Sequence, residues 1–238
     1  MIPNTATTSV PTRHWDYALK RSFDFVVALA ALLILCPIFL LVGVLVAFTS
    51  RGPLLYKQKR VGLDGRLFEI FKFRTMCVGA DKKGPSVTSA DDVRITPVGR
   101  WLRVSKLDEI PQLLNVLVGD MSLVGPRPQV PQFVEHFDPN MRELVLRVRP
   151  GITGPTAIRF RHEEQLLANQ PDRETYYIRK ILPVKLEMDV EYVENRSMRG
   201  DVQILFATAR MLTTGSKSAT SDTRAVVDYE ETAKATSQ

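Results

Sequence analysis

Hydrophobic and polar positions divide this 238-residue chain into regions of different period. The first is "FDFVVALAALLILCPIFLLVGVLVAFTS", Phe23 to Ser50, in which Asp24 is the only charge. Its about 25 apolar positions exceed the roughly 20 that a helix needs to cross a hydrocarbon core. A secretory leader would have a shorter apolar core and a small-residue cleavage site, whereas Arg51 and Pro53 follow here. Pro37, preceded by Cys36, stands at the middle. Proline lacks an N–H donor and crowds the turn before it, so the helix is expected to break or kink there. Lys20 and Arg21 precede the run, and Arg51, Lys57, Lys59 and Arg60 follow it. Basic flanks prefer the cytoplasm, and both flanks satisfy that preference when the chain enters and returns on one face. Each half is about 13 residues, roughly 20 Å of helix, too short to cross alone. The expectation is a hairpin re-entrant at Cys36–Pro37. The alternative is a proline-kinked helix that spans.

Past this run the periods shorten. "PLLYKQKRVG" and "RLFEIFKFRTM" read as two strands joined by a turn at "LDGR". "KKGPSVTSADD" reads as a loop and "VGRWLRVS" as a short helix. "LDEIPQLLNVLVGDMSLVGPRP", Leu107 to Pro128, contains an amphipathic helix. Ser105 or Asp108 is expected to cap it, with Pro111 in its first turn. "PQVPQFVEHF" and "PNMRELVLRVR" suggest two helical pieces, and "LPVKLEMDVEYVENRS" has apolar positions at helical spacing. "GDVQILFATARMLTT" reads as a last helix starting at an Asp cap. Several of these helices border a broad apolar face with Arg or Lys, the pattern of a helix lying in a membrane interface. A packed core explains such faces equally. The ends, 1–13 and 214–238, are polar, aperiodic and expected to be flexible. The fold class is therefore mostly α with a small β element. A membrane-associated helix covers 14–50 and one compact unit covers 51–213.

Charge narrows the partners. The formal net charge is +6 and the isoelectric point about 9.4, which points to an anionic partner. The two cysteines, Cys36 and Cys77, are poorly matched for a bridge because Cys36 lies in the apolar run. His14, His136 and His162 are scattered, with no zinc-type spacing. Basic residues instead cluster in stiff stretches: Lys72 and Arg74 in "FKFRT", Arg100 and Arg103 in "GRWLRVS", Arg127 in "PRP", Arg149 in "VRPGITG". Proline restrains Arg127 and Arg149, and a guanidinium fork suits phosphate oxygens. Gly151 and Gly154 allow close backbone approach to a ligand. Together these suit a diphosphate, although neither a Walker sequence nor a GxGxxG is present. Asp108 and Glu109 stand side by side, and acids at a helix start are often only caps. Beside an arginine cluster, an ionised carboxylate there could attack a phosphoryl group or hold Mg²⁺.

"KFRTM", "LDEIPQLLNVLVGDMSLVGPRP" and "VRPGITG", following an apolar hairpin, resemble the bacterial sugar transferase family of monotopic polyprenyl-phosphate phosphoglycosyl transferases. The likeness covers roughly Lys20 to Thr213. It implies transfer of a sugar-1-phosphate from a UDP-sugar to polyprenyl (undecaprenyl) phosphate, with release of UMP and a need for Mg²⁺. It implies Asp108 as the nucleophile that forms a phosphosugar-enzyme intermediate and as a metal ligand, with Glu109 as its partner, accepting the polyprenyl phosphate proton or assisting the metal. Pro126, Arg127 and Pro128 match the family's Pro-Arg-Pro motif near the nucleotide phosphate. Lys72, Arg74, Arg103 and Arg149 would line the anionic substrates. The fold implied is a re-entrant membrane hairpin with interfacial amphipathic helices around a compact catalytic domain, at the cytoplasmic face of the bacterial inner membrane. Membrane lipids and later glycan-pathway enzymes would be partners. Two departures matter. Cys36-Pro37 stands where the family usually has Ser-Pro, and "PGITG" continues into Pro155, Thr156 and Ala157 where many members have Trp-Ala-Gln. The second departure falls where the sugar could be touched. A non-enzymatic basic membrane adaptor would not need the acid pair, and a nucleic-acid binder would interleave its cations with exposed aromatics.

Overall fold

The computed structural model describes residues 14–49, 51–80, 84, 87–168 and 170–214. The expected tails, apart from Thr214, and part of the "KKGPSVTSADD" loop lie outside them. Helix α1 (His14–Thr49) contains Pro37 and continues through it. Helical structure thus carries through Cys36–Pro37 without interruption, because a proline deletes one amide bond and the bonds on either side can carry a helix through a bend. Its buried positions, Asp24, Ala28, Val42 and Val46, share one stripe with the partly buried Ala31, Leu35 and Phe39. Val26, Leu33, Ile34, Leu40, Leu41 and Phe48 lie exposed on other faces. Tyr17–Thr49 is long and apolar enough to cross a membrane, and only 11% of its most apolar window is buried, unlike the core helix of a soluble protein.

The strands β1 (Leu55–Val61) and β2 (Leu67–Phe73) pair antiparallel from Leu55↔Phe73 to Val61↔Leu67. Their turn is the expected one, with Asp64 and Gly65 at φ 53° and 75°. Helix α2 (Pro97–Ser105) is capped by Thr96, whose side chain accepts from the Gly99 amide. It then lies so close to the end of β2 that a Cβ on Gly99 would fall 1.9 Å from the Thr75 carbonyl oxygen. Lys106, at φ 59°, ends α2 and turns the chain into a 3₁₀ turn, Leu107–Glu109, ahead of α3 (Gln112–Val118). Neither expected cap serves α3. Ser105 Oγ donates back to the Trp101 carbonyl at 2.9 Å, and α3 starts from Pro111 without a side-chain cap.

A second sheet escapes the sequence pattern. β3 (Ser122–Val124) and β4 (Gly151–Thr153) pair in parallel, with α4 (Pro131–Val134) and α5 (Pro139–Leu146) between them. Three-residue strands are too short to show alternation. Five further elements follow: α6 (Pro155–Arg159), α7 (Glu163–Ala168), α8 (Arg173–Tyr176), a π-helical turn (Tyr177–Ile181) and α9 (Leu182–Asn195). The last helix, α10 (Met198–Thr214), begins earlier than expected. Ser197, not Asp201, accepts from the backbone near its start, at 3.1 Å from the Gly200 amide. Asp201 is buried in the first turn instead.

Both ends of α1 are fastened to this unit. Arg21 donates to the Val116 and Leu117 carbonyls, 2.5 and 2.9 Å, at the C-terminal end of α3. Asp24 accepts from Ser122 Oγ at 2.8 Å and from the Leu123 amide at 3.3 Å. Lys20 bridges Asp24 and Asp201 at 3.4 and 2.7 Å. The Tyr192 hydroxyl lies 2.8 Å from Asp201 and 3.1 Å from the Val124 carbonyl. Farther along, Val42 and Val46 are buried with Phe73 and Leu102, and the Phe39 and Phe73 rings sit 4.9 Å apart.

Candidate active site

The dyad stands where three elements converge. Asn115, fully buried on α3, accepts from the Phe71 amide at 3.0 Å and donates to the Glu69 carbonyl at 2.7 Å. That clasp fixes β2 beside the 3₁₀ turn and so brings Lys72 to Glu109. The second sheet fixes the Pro-Arg-Pro loop: the Gly125 amide donates to Thr153 and the Gly151 amide to Pro126, at 3.0 and 2.8 Å. A Cβ on Gly125 would sit 2.6 Å from the Arg149 carbonyl, so the loop packs this closely only with glycine there.

Glu109 is clamped. Lys72 Nζ lies 2.9 Å from Oε1, and Arg127 straddles the carboxylate with Nη2 at 2.5 Å from Oε1 and Nη1 at 3.3 Å from Oε2. Burial pushes its pKa up, but Arg127 and then Lys72 outweigh burial and hold it well below the ordinary glutamate range. Asp108, its neighbour, is the opposite case. It is buried, its Oδ1 makes no hydrogen bond, and burial raises its pKa against the opposing pull of Lys72. Asp108 sits in a three-residue 3₁₀ turn and not at the start of α3. Two adjacent acids thus have proton affinities driven apart by their surroundings, a pattern that marks distinct chemical roles.

Both acids line a cavity of about 600 Å³ together with Lys72, Arg74, Arg103, Arg127 and Pro128. That volume suits a molecule larger than a phosphate. Arg74 donates to the Pro53 carbonyl. Arg103 pairs with Glu164 and reaches Thr75 Oγ1 at 3.4 Å. Pro126 lines a small neighbouring pocket behind the loop, beside Asp189, whose pKa burial raises to about 7. Arg149 is not brought to the cavity. It donates to the Gly119 carbonyl at 2.6 Å and stacks 5.0 Å over Tyr17. Cys36 and Pro37 are exposed on α1, and both cysteines are free.

Sequence reasoning missed several lining residues: Arg60, Gln129, Glu163, Glu164, Tyr177 and Lys185. For Lys185 a signal existed. Leu182, Lys185, Leu186, Asp189 and Val193 share one helical stripe, and two charges in an otherwise apolar stripe mark a face turned toward something polar. Among the described residues no group of three or more His, Cys, Asp or Glu side chains could hold a metal on its own.

Comparison with known proteins identifies the family. Residues 15–215 match the family described as Bacterial sugar transferase. The chain is 37% identical over 199 residues to a UDP-N-acetylgalactosamine-undecaprenyl-phosphate N-acetylgalactosaminephosphotransferase of Aeromonas hydrophila, covering 83% of this chain and 44% of that protein. It is 38% identical over 206 residues to an undecaprenyl-phosphate glucose phosphotransferase of Komagataeibacter xylinus, covering 84% and 37%. It is 38% identical over 204 residues to the exopolysaccharide production protein ExoY of Sinorhizobium fredii, covering 79% and 83%. The chain thus spans under half the length of the first two relatives and most of the third. With a family match over most of its length and a dyad, a cationic cavity and an exposed apolar helix in one unit, this chain belongs to the bacterial sugar transferase family.

Proposed function

We propose that this protein transfers a sugar-1-phosphate from a UDP-sugar to a polyprenyl phosphate and releases UMP. The observation that carries the reading is Asp108, a buried carboxylate with an unpartnered oxygen in a cavity whose cations exceed its acids. A buried oxygen without a hydrogen bond is costly, and a fold that keeps one beside a cationic cavity carries that cost where chemistry needs it. In the first step an Asp108 oxygen forms a bond to the β-phosphorus. The bond from that phosphorus to the bridging oxygen breaks, and UMP leaves with the electron pair. In the second step an oxygen of the polyprenyl phosphate attacks the phosphosugar-aspartate, and Asp108 departs as carboxylate. The product is a polyprenyl-diphosphate sugar.

Glu109 serves this scheme as a positioning group. Two cations hold its proton affinity down, which disfavours a proton-accepting role and favours holding Lys72 and Arg127 in place. Arg127 and Lys72 would then meet the phosphate oxygens and screen the attacking carboxylate. Magnesium fits this donor set, since it commonly takes one or two carboxylates and completes its shell with substrate phosphates and water. Asp108 would hold it, and it would supply charge neutralisation on the diphosphate. A non-enzymatic membrane adaptor would gain nothing from a bare buried carboxylate.

The reading places the catalytic unit at the cytoplasmic face of the inner membrane, with α1 dipping into one leaflet and returning, and with α2 and α10 at the interface. Asp24 and Val46, 22 residues apart, would be separated by about 33 Å in an upright helix, roughly the full hydrocarbon thickness. Both are packed against the same unit. An upright span would therefore draw the unit's polar surface into hydrocarbon, which is unfavourable. Trp101, Val104 and Phe206 are exposed on α2 and α10, as interfacial helices require. The lipid product would feed assembly of a glycan, with later glycan-pathway enzymes as partners.

The test is a screen of UDP-sugars with undecaprenyl phosphate in lipid vesicles. One donor should give Mg²⁺-dependent UMP release, and without acceptor about one UMP per protein with label retained on the chain. No UMP from any donor would sink the assignment. For topology, single cysteines at Thr12 and Ser218, with Cys36 and Cys77 replaced, should both resist an impermeant thiol reagent until the inner membrane is opened. Labelling at Thr12 alone would mean that α1 spans.

A further inference from the structure

The transfer scheme leaves one wall of the cavity unused. Lys185 on α9 donates to Glu163 Oε2 at 2.6 Å, and its Nζ lies 3.5 Å from the Tyr177 hydroxyl. Tyr177, on the π-helical turn, lies 3.1 Å from Gln129 Oε1, two residues past Arg127. All four residues line the cavity, and Lys185, Tyr177 and Gln129 are buried. An ion pair that buries a lysine against a part-exposed glutamate is a poor stabiliser compared with apolar packing. Its position at the wall of a cavity makes a ligand the simplest reason for it. Burial disfavours the Lys185 charge, but Glu163 and then Tyr177 outweigh it and keep the ammonium protonated.

The network has unused hydrogen-bonding capacity of both kinds. Lys185 has three donors and uses two, Glu163 commits one of its oxygens, and the Gln129 amide group keeps its donors. Glu163 also disfavours a phosphate at this wall, since like charges repel. Alternating donors and acceptors around a carboxylate fit neutral hydroxyls. The cavity of about 600 Å³ is large enough to hold more than the diphosphate. We propose that Glu163, Lys185, Tyr177 and Gln129 form a subsite that reads vicinal hydroxyls of the donor, on its sugar ring or on its ribose. The inference rests on the transfer reading above.

The experiment compares wild type with Glu163→Gln, Lys185→Met and Gln129→Leu, in vesicles with undecaprenyl phosphate. Two donor pairs are used: UDP-glucose against UDP-galactose, and the better of these against its 2′-deoxyribose analogue. Losing one good hydrogen bond to a charged group should raise the donor KM about tenfold or more and leave the KM for undecaprenyl phosphate unchanged. A collapse of the epimer ratio in kcat/KM assigns the subsite to the sugar. A collapse of the ribose ratio assigns it to the nucleoside. Lower kcat with donor KM and both ratios unchanged would show a merely structural network and overturn the proposal. Gln129→Leu leaves the Lys185–Glu163 pair intact, so it decides the matter if the other two variants unfold. No UMP from wild type with any donor would instead be a failure of the transfer reading, and the subsite would fall with it.

Discussion

Two buried ionic networks lie in this molecule, and they are built differently. At the root of α1, Lys20, Asp24, Ser122, Tyr192 and Asp201 share their hydrogen bonds, and both acids are engaged. In the cavity, Lys72 and Arg127 saturate Glu109 while Asp108 beside it keeps a bare oxygen. A closed network has no capacity left for a ligand, so the first ties α1 to β3, the strand that leads into Pro126-Arg127-Pro128. An incomplete network is expensive unless something completes it. The difference between anchor and active site is therefore one of satisfaction, not of residue type, because both draw on Lys, Asp and short hydrogen bonds.

Three substitutions can break this contrast. Asp108→Asn is expected to have the largest effect, at least about 10³-fold in turnover, with no label trapped on the chain. Its fold should be unharmed, since no hydrogen bond to Oδ1 is lost and a buried charge disappears. Full activity in this variant would remove the nucleophile. Because burial raises the Asp108 pKa, wild-type turnover should fall with acid at a pH above the ordinary aspartate range. The sign for stability is the reverse of that for activity. A carboxyl whose folded pKa lies above its unfolded one adds stability below the unfolded value and loses it as pH rises through the folded one. A comparison of melting against pH would show a steeper loss of stability with rising pH in wild type than in Asp108→Asn, where Asp189 still contributes a slope of the same sign.

Asp24→Ala should do the opposite of Asp108→Asn. It strips the Leu123 amide and one of the two partners of Ser122 Oγ, which keeps the Val124 carbonyl, and it removes one partner of Lys20, a loss of about 3 kcal/mol by analogy with other broken buried pairs. Thermal unfolding in nanodiscs should shift downward, with UMP release per folded molecule nearly kept. A large drop in turnover without a change in melting would mean that the root network is catalytic after all. Arg127→Lys should be the mildest. It keeps the charge but loses the fork on Glu109, so a deficit of roughly 2 kcal/mol, about thirtyfold in kcat/KM, is expected. Lysine performing as well as arginine would show that charge alone matters there.

Some of this was legible in the sequence because it depends on neighbours along the chain. The apolar run, the β1–β2 hairpin with its "LDGR" turn, and α2, α5 and α9 each announce themselves by period or by turn chemistry within a few residues. The stiff clusters around Lys72, Arg103 and Arg127 pointed to a phosphate site for the same reason, and the cavity gathers them. Other features depended on contacts distant in sequence. β3 and β4 are three residues each and exist only because they pair with one another. Arg149 carries the same proline restraint as Arg127 but is turned to Gly119 and Tyr17, which no local pattern reveals. Lys20 and Arg21 read as basic flanks of a membrane run, and their partners prove to be carboxylates and carbonyls up to 181 positions away, at Asp201. Asp108 and Glu109 are the sharpest case. Adjacent in sequence and alike in chemistry, they have proton affinities shifted in opposite directions by what the fold sets against each: two cations on Glu109, and burial with an unpaired oxygen on Asp108. The residue types and their spacing determined which groups were available, but burial and the position of distant charges are properties of three dimensions, and those decided which acid is held by cations and which keeps an unpaired oxygen.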